Sequence, residues 1–213
     1  MKKIFALATL TLLFISVGFA QTLVGIKAGG SITNITLNQQ YKNLLNVSAQ
    51  NRIGYQLGLF AQRAISENIF MRTELAYSVK GYKSHDKLTN REGRVGFNYI
   101  SLPLLLGYQL NPSFSAFLGP EIAALGPVHA GSGGRRNRLD IISNYEKLDL
   151  GLSGGIMYTL APKLGLDLRY TYGLSKILIT DLTDAQGNRT GQANQKNNKA
   201  LSLSVNYYLR GRV

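Results

Sequence analysis

From residue 164 to residue 174 the chain reads LGLDLRYTYGL, and every second residue is apolar or aromatic. Leu164, Leu166, Leu168, Tyr170, Tyr172 and Leu174 share one face; Gly165, Asp167, Arg169, Thr171 and Gly173 share the other. A period of two predicts a β-strand with unlike faces. The same alternation recurs at 52–61, 69–80, 148–160 and 200–210. Segment 23–32 sets Val24, Ile26, Ala28 and Ile32 against Gly25, Lys27, Gly29 and Ser31, and segment 114–125 carries Glu121 on its minor face. Segment 99–110 is apolar on both faces, and Pro103 removes one ladder donor, so it is the least strand-like. The count is eight strands, each near the 9–11 or so residues that cross a bilayer at a tilt.

The connections alternate in length. RAISEN, NPS and APK are short and rich in turn formers. Segments 34–50, 82–98, 126–145 and 176–198 are long, polar and rich in Gly and Asn. Short turns on one side and long loops on the other predict an all-β, eight-stranded, antiparallel, up-and-down transmembrane barrel with both termini periplasmic. The competing architecture is a secreted barrel with its oily face inward, able to bind a small apolar ligand. Its outer face would then consist mostly of Gly, Ser and Thr, a poor solvated surface. With the oily face outward, the same small residues make a lumen that side chains can fill.

That orientation gives the charges a place. Lys27, Arg52, Arg72 and Arg169 would meet Glu74, Glu121, Asp149 and Asp167 in a polar lumen, as a structural ionic cluster that leaves no open pore. A second set, Lys80, Lys83, Lys87, Arg91, Arg94, Arg135, Arg136 and Arg138, lies in or beside the long loops. The expected partners there are outer-membrane lipid and the anionic headgroups of lipopolysaccharide, with Arg135, Arg136 and Arg138 as the candidate basic loop.

The N-terminus reads MKKIFALATLTLLFISVGFA, with a basic start, an apolar run and small residues before Gln21. It predicts a signal peptide over residues 1–20 and a barrel domain over 21–213. Without Lys2 and Lys3 the 24 basic residues become 22, against 11 acidic ones, a net +11. The chain has no cysteine, so neither disulfides nor thiol chemistry contribute.

Candidate chemistry is sparse. His85 and His129 are the two histidines, and His85-Asp86 alone is too thin a ligand set for a metal. Ser84 or Ser132 with either histidine would be needed for a lipid-modifying enzyme at the barrel rim, and no spacing marks them out. GSGGRR lacks the spacing of a phosphate loop. No nucleic-acid motif is present, and no cofactor is implied.

Several segments resemble the PorT-like outer-membrane β-barrel family of diderm bacteria. MRTELAYSVKG at 71–81 is similar to the family's Glu-Leu-x-Tyr-x-x-Lys-Gly strand, through Glu74, Leu75, Tyr77, Lys80 and Gly81. YISLPLLLGY at 99–108 resembles its Pro-Leu-Leu strand, and FLGPEIAAL at 117–125 the Gly-Pro strand that follows. LDLRYTYGLSKI at 166–177 and ALSLSVNYYL at 200–209 are similar in kind to the closing strands, so the resemblance spans most of 69–210. It implies an outer-membrane β-barrel, in a family most of whose members have no assigned role and whose founding member serves protein secretion. The ending YLRGRV departs from the terminal aromatic of many outer-membrane proteins. The expected role is structural, surface-interacting or accessory to an envelope machine with an unidentified protein partner.

Overall fold

The computed structural model describes residues 22–37, 47–86, 91–132, 135–139, 146–183 and 189–209. Residues 1–20, the expected signal peptide, lie outside them. Eight long strands form the wall: β1 (Thr22–Leu37), β3 (Arg52–Ala64), β4 (Ile69–Asp86), β5 (Arg91–Gln109), β6 (Phe114–Ser132), β8 (Leu148–Ala161), β9 (Leu164–Gly173) and β11 (Arg189–Tyr208). Each pairs antiparallel with the next, and β11 pairs back onto β1, which closes the barrel. Closure matters because it leaves no wall strand with an open row of backbone donors and acceptors. Three short strands extend the wall at the end of the long connections. β2 (Val47–Gln50) pairs with β4, β7 (Arg135–Leu139) with β6, and β10 (Lys176–Thr183) with β11.

The short turns are built as their residues suggest. Asn111 Oδ1 accepts hydrogen bonds from the backbone N–H of Ser113 (3.0 Å) and Phe114 (2.9 Å). Tyr208 N donates to Lys163 O at 2.9 Å, and Leu209 N donates to Val24 O at 2.9 Å. The start of β1 and the end of β11 therefore lie at the same end as the short turns.

The expectation of four long irregular loops needs correction. Segment 82–98 is largely a hairpin: β4 runs to Asp86 and β5 starts at Arg91, with Tyr82↔Val95 and His85↔Glu92 in register. The sequence called loop at 126–132 continues β6, and 176–198 is mostly the β10–β11 hairpin. The physical reason is that the apolar demand on the outer face stops where the wall leaves the hydrocarbon. Backbone pairing continues, so the ladder persists after the period-two signal has gone.

The outer face is apolar along the wall. Ile53 is 83% exposed, and Leu57, Leu59, Leu75, Ile100, Leu106, Leu118, Leu168, Leu203 and Val205 are exposed with it. Tyr108, Phe114, Tyr158 and Tyr207 ring the short-turn end, and Tyr55, Tyr77 and Tyr172 ring the other. Phe114 and Tyr158 pack with centroids 4.7 Å apart, and Tyr55 and Tyr77 at 6.4 Å. The eight steps along β5 from Tyr108 to Ile100 cover about 26 Å of strand. At the usual tilt that is about 20 Å of height, on the scale of a transmembrane apolar band. A continuous oily exterior of this size suits lipid and not water, so the oily-inside soluble barrel fails.

Candidate functional site

The inward positions of β4 and β9 supply the centre of the lumen. In the closed wall these two strands sit four places apart among eight, on opposite sides of the barrel. Residues two apart on one strand share a face, so Arg72 stands beside Glu74 and Asp167 beside Arg169. Arg169 then reaches across the full width. Its Nη1 donates to Glu74 Oε2 at 2.9 Å and its Nη2 to Glu74 Oε1 at 2.8 Å, a two-pronged bridge. The same Nη2 lies 2.8 Å from Asp167 Oδ2. Arg72 Nε donates to Glu74 Oε1 at 2.7 Å and its Nη2 to Asn206 Oδ1 at 2.7 Å. Lys27 Nζ sits 3.3 Å from both Glu74 Oε2 and Asp167 Oδ2. All five charged side chains are at most 3% exposed.

Small neighbours make room for this network. Gly58, Ser202 and Ser204 face inward beside it. Gly155 pairs with Arg169, and a Cβ there would press on Leu168 O and lie 2.9 Å from the Phe117 ring. Glycine at 155 thus lets Phe117 lie under the guanidinium, whose carbon is 5.0 Å from the ring centre.

Toward the long-connection end a second group forms around Glu121. Lys80 Nζ donates to Glu121 Oε1 at 2.9 Å, and Ser153 Oγ donates to Oε2 at 2.6 Å. Next, Asn198 Nδ2 donates to Asp149 Oδ2 at 2.8 Å and to Tyr99 Oη at 3.0 Å. β5 and β11 also face each other across the barrel, so Tyr99–Asn198 is a second strut. Arg52 is placed elsewhere: its Nη1 donates to Lys80 O (3.1 Å) and Val95 O (3.0 Å). It lies over Gly81 and Gly96, which face each other in the β4–β5 register. Gly81 has φ of +148°, a conformation glycine accepts and other residues resist, and a Cβ there would also meet Val95 O.

The eight charges proposed from the sequence therefore divide. Lys27, Arg72, Glu74, Asp167 and Arg169 share one network, Glu121 and Asp149 occupy the groups above it, and Arg52 binds backbone. Lys80, assigned above to the loop set, is 7% exposed inside the lumen, and its alternation with Glu74 on β4 was the available signal. The backbone register separates the basic loop residues. Arg136 and Arg138 fall on one face of β7 and Arg135 on the other, opposite Ser132. Lys87 lies outside the described residues.

Two apolar layers bound this polar middle, and alternation alone did not reveal them. Near the short turns Phe60, Phe70, Leu105, Phe117, Met157 and Tyr208 are buried, with the Arg72 guanidinium 3.8 Å above the Phe60 ring. At the other end Ile35, Tyr82, Phe97, Tyr99, Ala123 and Val128 pack together. Between the layers lies a cavity of about 20 Å³, lined by Ser31, Ser78, Lys80, Ser101, Glu121 and Arg169 among others. That is room for one or two waters, and Ser78 Oγ and Arg169 Nε, which have no protein partner, are suited to hold them.

The enzymatic candidates are not brought together. His129 Nδ1 lies 3.3 Å from Asn98 Nδ2, and His85 Nδ1 is buried without a hydrogen-bond partner. Ser84 and His85 are adjacent on β4 and so point to opposite faces. Among the described residues no group of three or more His, Asp or Glu side chains is arranged to hold a metal ion.

Several solved outer-membrane proteins are similar to the chain. Neisserial surface protein A shares 15% identity at a TM-score of 0.49, with 86% of this chain and 96% of that one covered. Ail, the attachment invasion locus protein of Yersinia pestis, shares 12% identity at 0.46, covering 89% and 99%. OprG from Pseudomonas aeruginosa shares 12% at 0.45, covering 90% and 97%. No curated protein matches the sequence. The family model described as outer membrane protein beta-barrel domain matches residues 19–178, which is most of the chain. The chain belongs to the outer membrane protein beta-barrel domain family, and its place is the outer membrane.

Proposed function

We propose that this protein is a sealed, PorT-like barrel of the outer membrane whose work is done by its outer surface, as a structural, surface-interacting or accessory envelope component without catalytic activity. The observation that carries this reading is the filling of the lumen. A buried ionic network crosses it from β4 to β9, apolar layers lie at both ends, and the cavity between them holds about 20 Å³. A hydrated ion or a metabolite needs a continuous path far wider than that. In this reading the short turns and both termini face the periplasm, and the extended hairpins rise through the outer leaflet among phosphorylated glycolipids such as lipopolysaccharide.

Flux measurements test it. Protein reconstituted in planar bilayers should give no steady conductance, and vesicles carrying it should retain small sugars. A stable open-channel current from the unmodified protein would overturn the sealed-barrel reading.

A further inference from the structure

The outward face above the upper tyrosines carries a charge arrangement that no ion pair among the described residues neutralises. Lys83 of β4 and Arg94 of β5 stand directly opposite each other in the register. Like charges so placed repel, and a sheet gains nothing from them alone. Neither takes part in an ion pair among the described residues. Their neighbours in the same cross-strand row are uncharged: Gln50 beside Lys83 and Gly131 beside Arg94. Glu92, two residues further up β5 and diagonal to Lys83, is engaged in an interaction of its own. The row continues through Gly131 to the position of Arg136 on β7.

Height decides what this row meets. Tyr55 pairs with Val79, and Gln50 pairs with Lys83, four residues further along β4. Four residues rise about 13 Å along the strand, or about 10 Å at the usual barrel tilt. The pair thus stands one headgroup's depth above the aromatic ring that marks the edge of the oil. Gly131, beside Arg94, places no side chain there, and Arg94 itself is exposed; below the pair the Arg52 guanidinium covers Gly96.

We propose that Lys83 and Arg94 form a binding site for the phosphate of an outer-leaflet glycolipid, held between the ammonium and the guanidinium. The site rests on the membrane orientation proposed above. A phosphate provides the oxygens that both donors need and removes the repulsion between them. The lipid then ties the β4–β5 hairpin to the leaflet.

The test uses the whole mature protein, folded in detergent and checked for the heat-dependent gel shift of an intact barrel. Lipopolysaccharide retained after washing is compared for the parent, the Lys83→Gln/Arg94→Gln variant and Lys163→Gln, whose charge sits in the β8–β9 turn at the opposite rim. At low salt the double variant should retain about thirtyfold less, the scale of two basic side chains at an anionic lipid surface, and Lys163→Gln should match the parent. Dephosphorylated lipopolysaccharide should bind the parent and double variant equally, and excess inorganic phosphate should not strip the intact lipid. Equal retention by parent and double variant, or an equal loss in Lys163→Gln, overturns the site. An open channel in the flux assay would overturn the sealed lumen without changing this comparison.

Discussion

Replacing Glu74 by glutamine should destabilise the barrel by about 4 kcal/mol, within the range for breaking a buried ion pair from one side. The substitution keeps the shape of the side chain and removes its charge. In the parent, Glu74 takes bonds from Arg72 Nε and from both terminal nitrogens of Arg169, with Lys27 Nζ 3.3 Å away. After substitution Lys27, Arg72 and Arg169 would share Asp167 as the one carboxylate left in that network. The amide NH₂ would also face donors, so at least one guanidinium bond is lost outright. Reversible urea unfolding in lipid vesicles, followed by tyrosine fluorescence, reads the change. The chain has no tryptophan, so twelve tyrosines carry the signal. A double variant, Glu74→Leu/Arg169→Met, removes the strut from both sides and should lose less than Glu74→Gln, because two buried cations instead of three then share Asp167. A Glu74→Gln protein within about 1 kcal/mol of the parent, the level of an exposed pair, would refute the buried cross-lumen bridge.

Other expectations follow from the same geometry. Leu168→Arg places a charge in hydrocarbon and should cost about 2–4 kcal/mol near the midplane; the Asp167→Asn variant keeps the lumen's shape and should lose less in the same urea assay, and the reverse order would mean the faces are exchanged. Gly81→Ala should cost about 1–3 kcal/mol, from its positive φ and the contact with Val95 O, read as a lower urea midpoint; an unchanged midpoint would contradict the Arg52 notch. Mass spectrometry of the envelope-extracted protein should find a chain beginning at Gln21, and a dominant form starting at Met1 would contradict the signal peptide.

The wall was legible in the sequence because lipid imposes one rule on every outward residue. Leu166, Leu168 and Tyr170 on β9 obey it, and so do Leu201, Leu203 and Val205 on β11. The ionic residues were legible for the same reason, since a charge at an alternate position has only the inside to face. What they bond to was not, because Arg169 and Glu74 meet only after strand order and closure put β4 opposite β9. Phe60, Phe97 and Phe117 were harder still. They sit at inward positions among glycines and polar residues, and an apolar residue there carries no local mark that separates a lumen layer from a register slip. The upper hairpins escaped because Tyr82–Asp86 and Arg91–Asn98 pair outside the apolar band, where composition resembles that of a loop.

Thiol accessibility tests the filled lumen most directly, and a cysteine-free chain makes it clean. Ser153 and Ser204 face inward and are at most 1% exposed, and serine to cysteine changes little volume. Ser153→Cys and Ser204→Cys proteins, folded in vesicles, would be offered a small charged thiol reagent from both sides, with urea-unfolded protein as the reference. A lumen closed by the network and its two apolar layers predicts no labelling until the barrel unfolds. Rapid labelling of the folded protein at either position would show a water-filled channel and contradict the account.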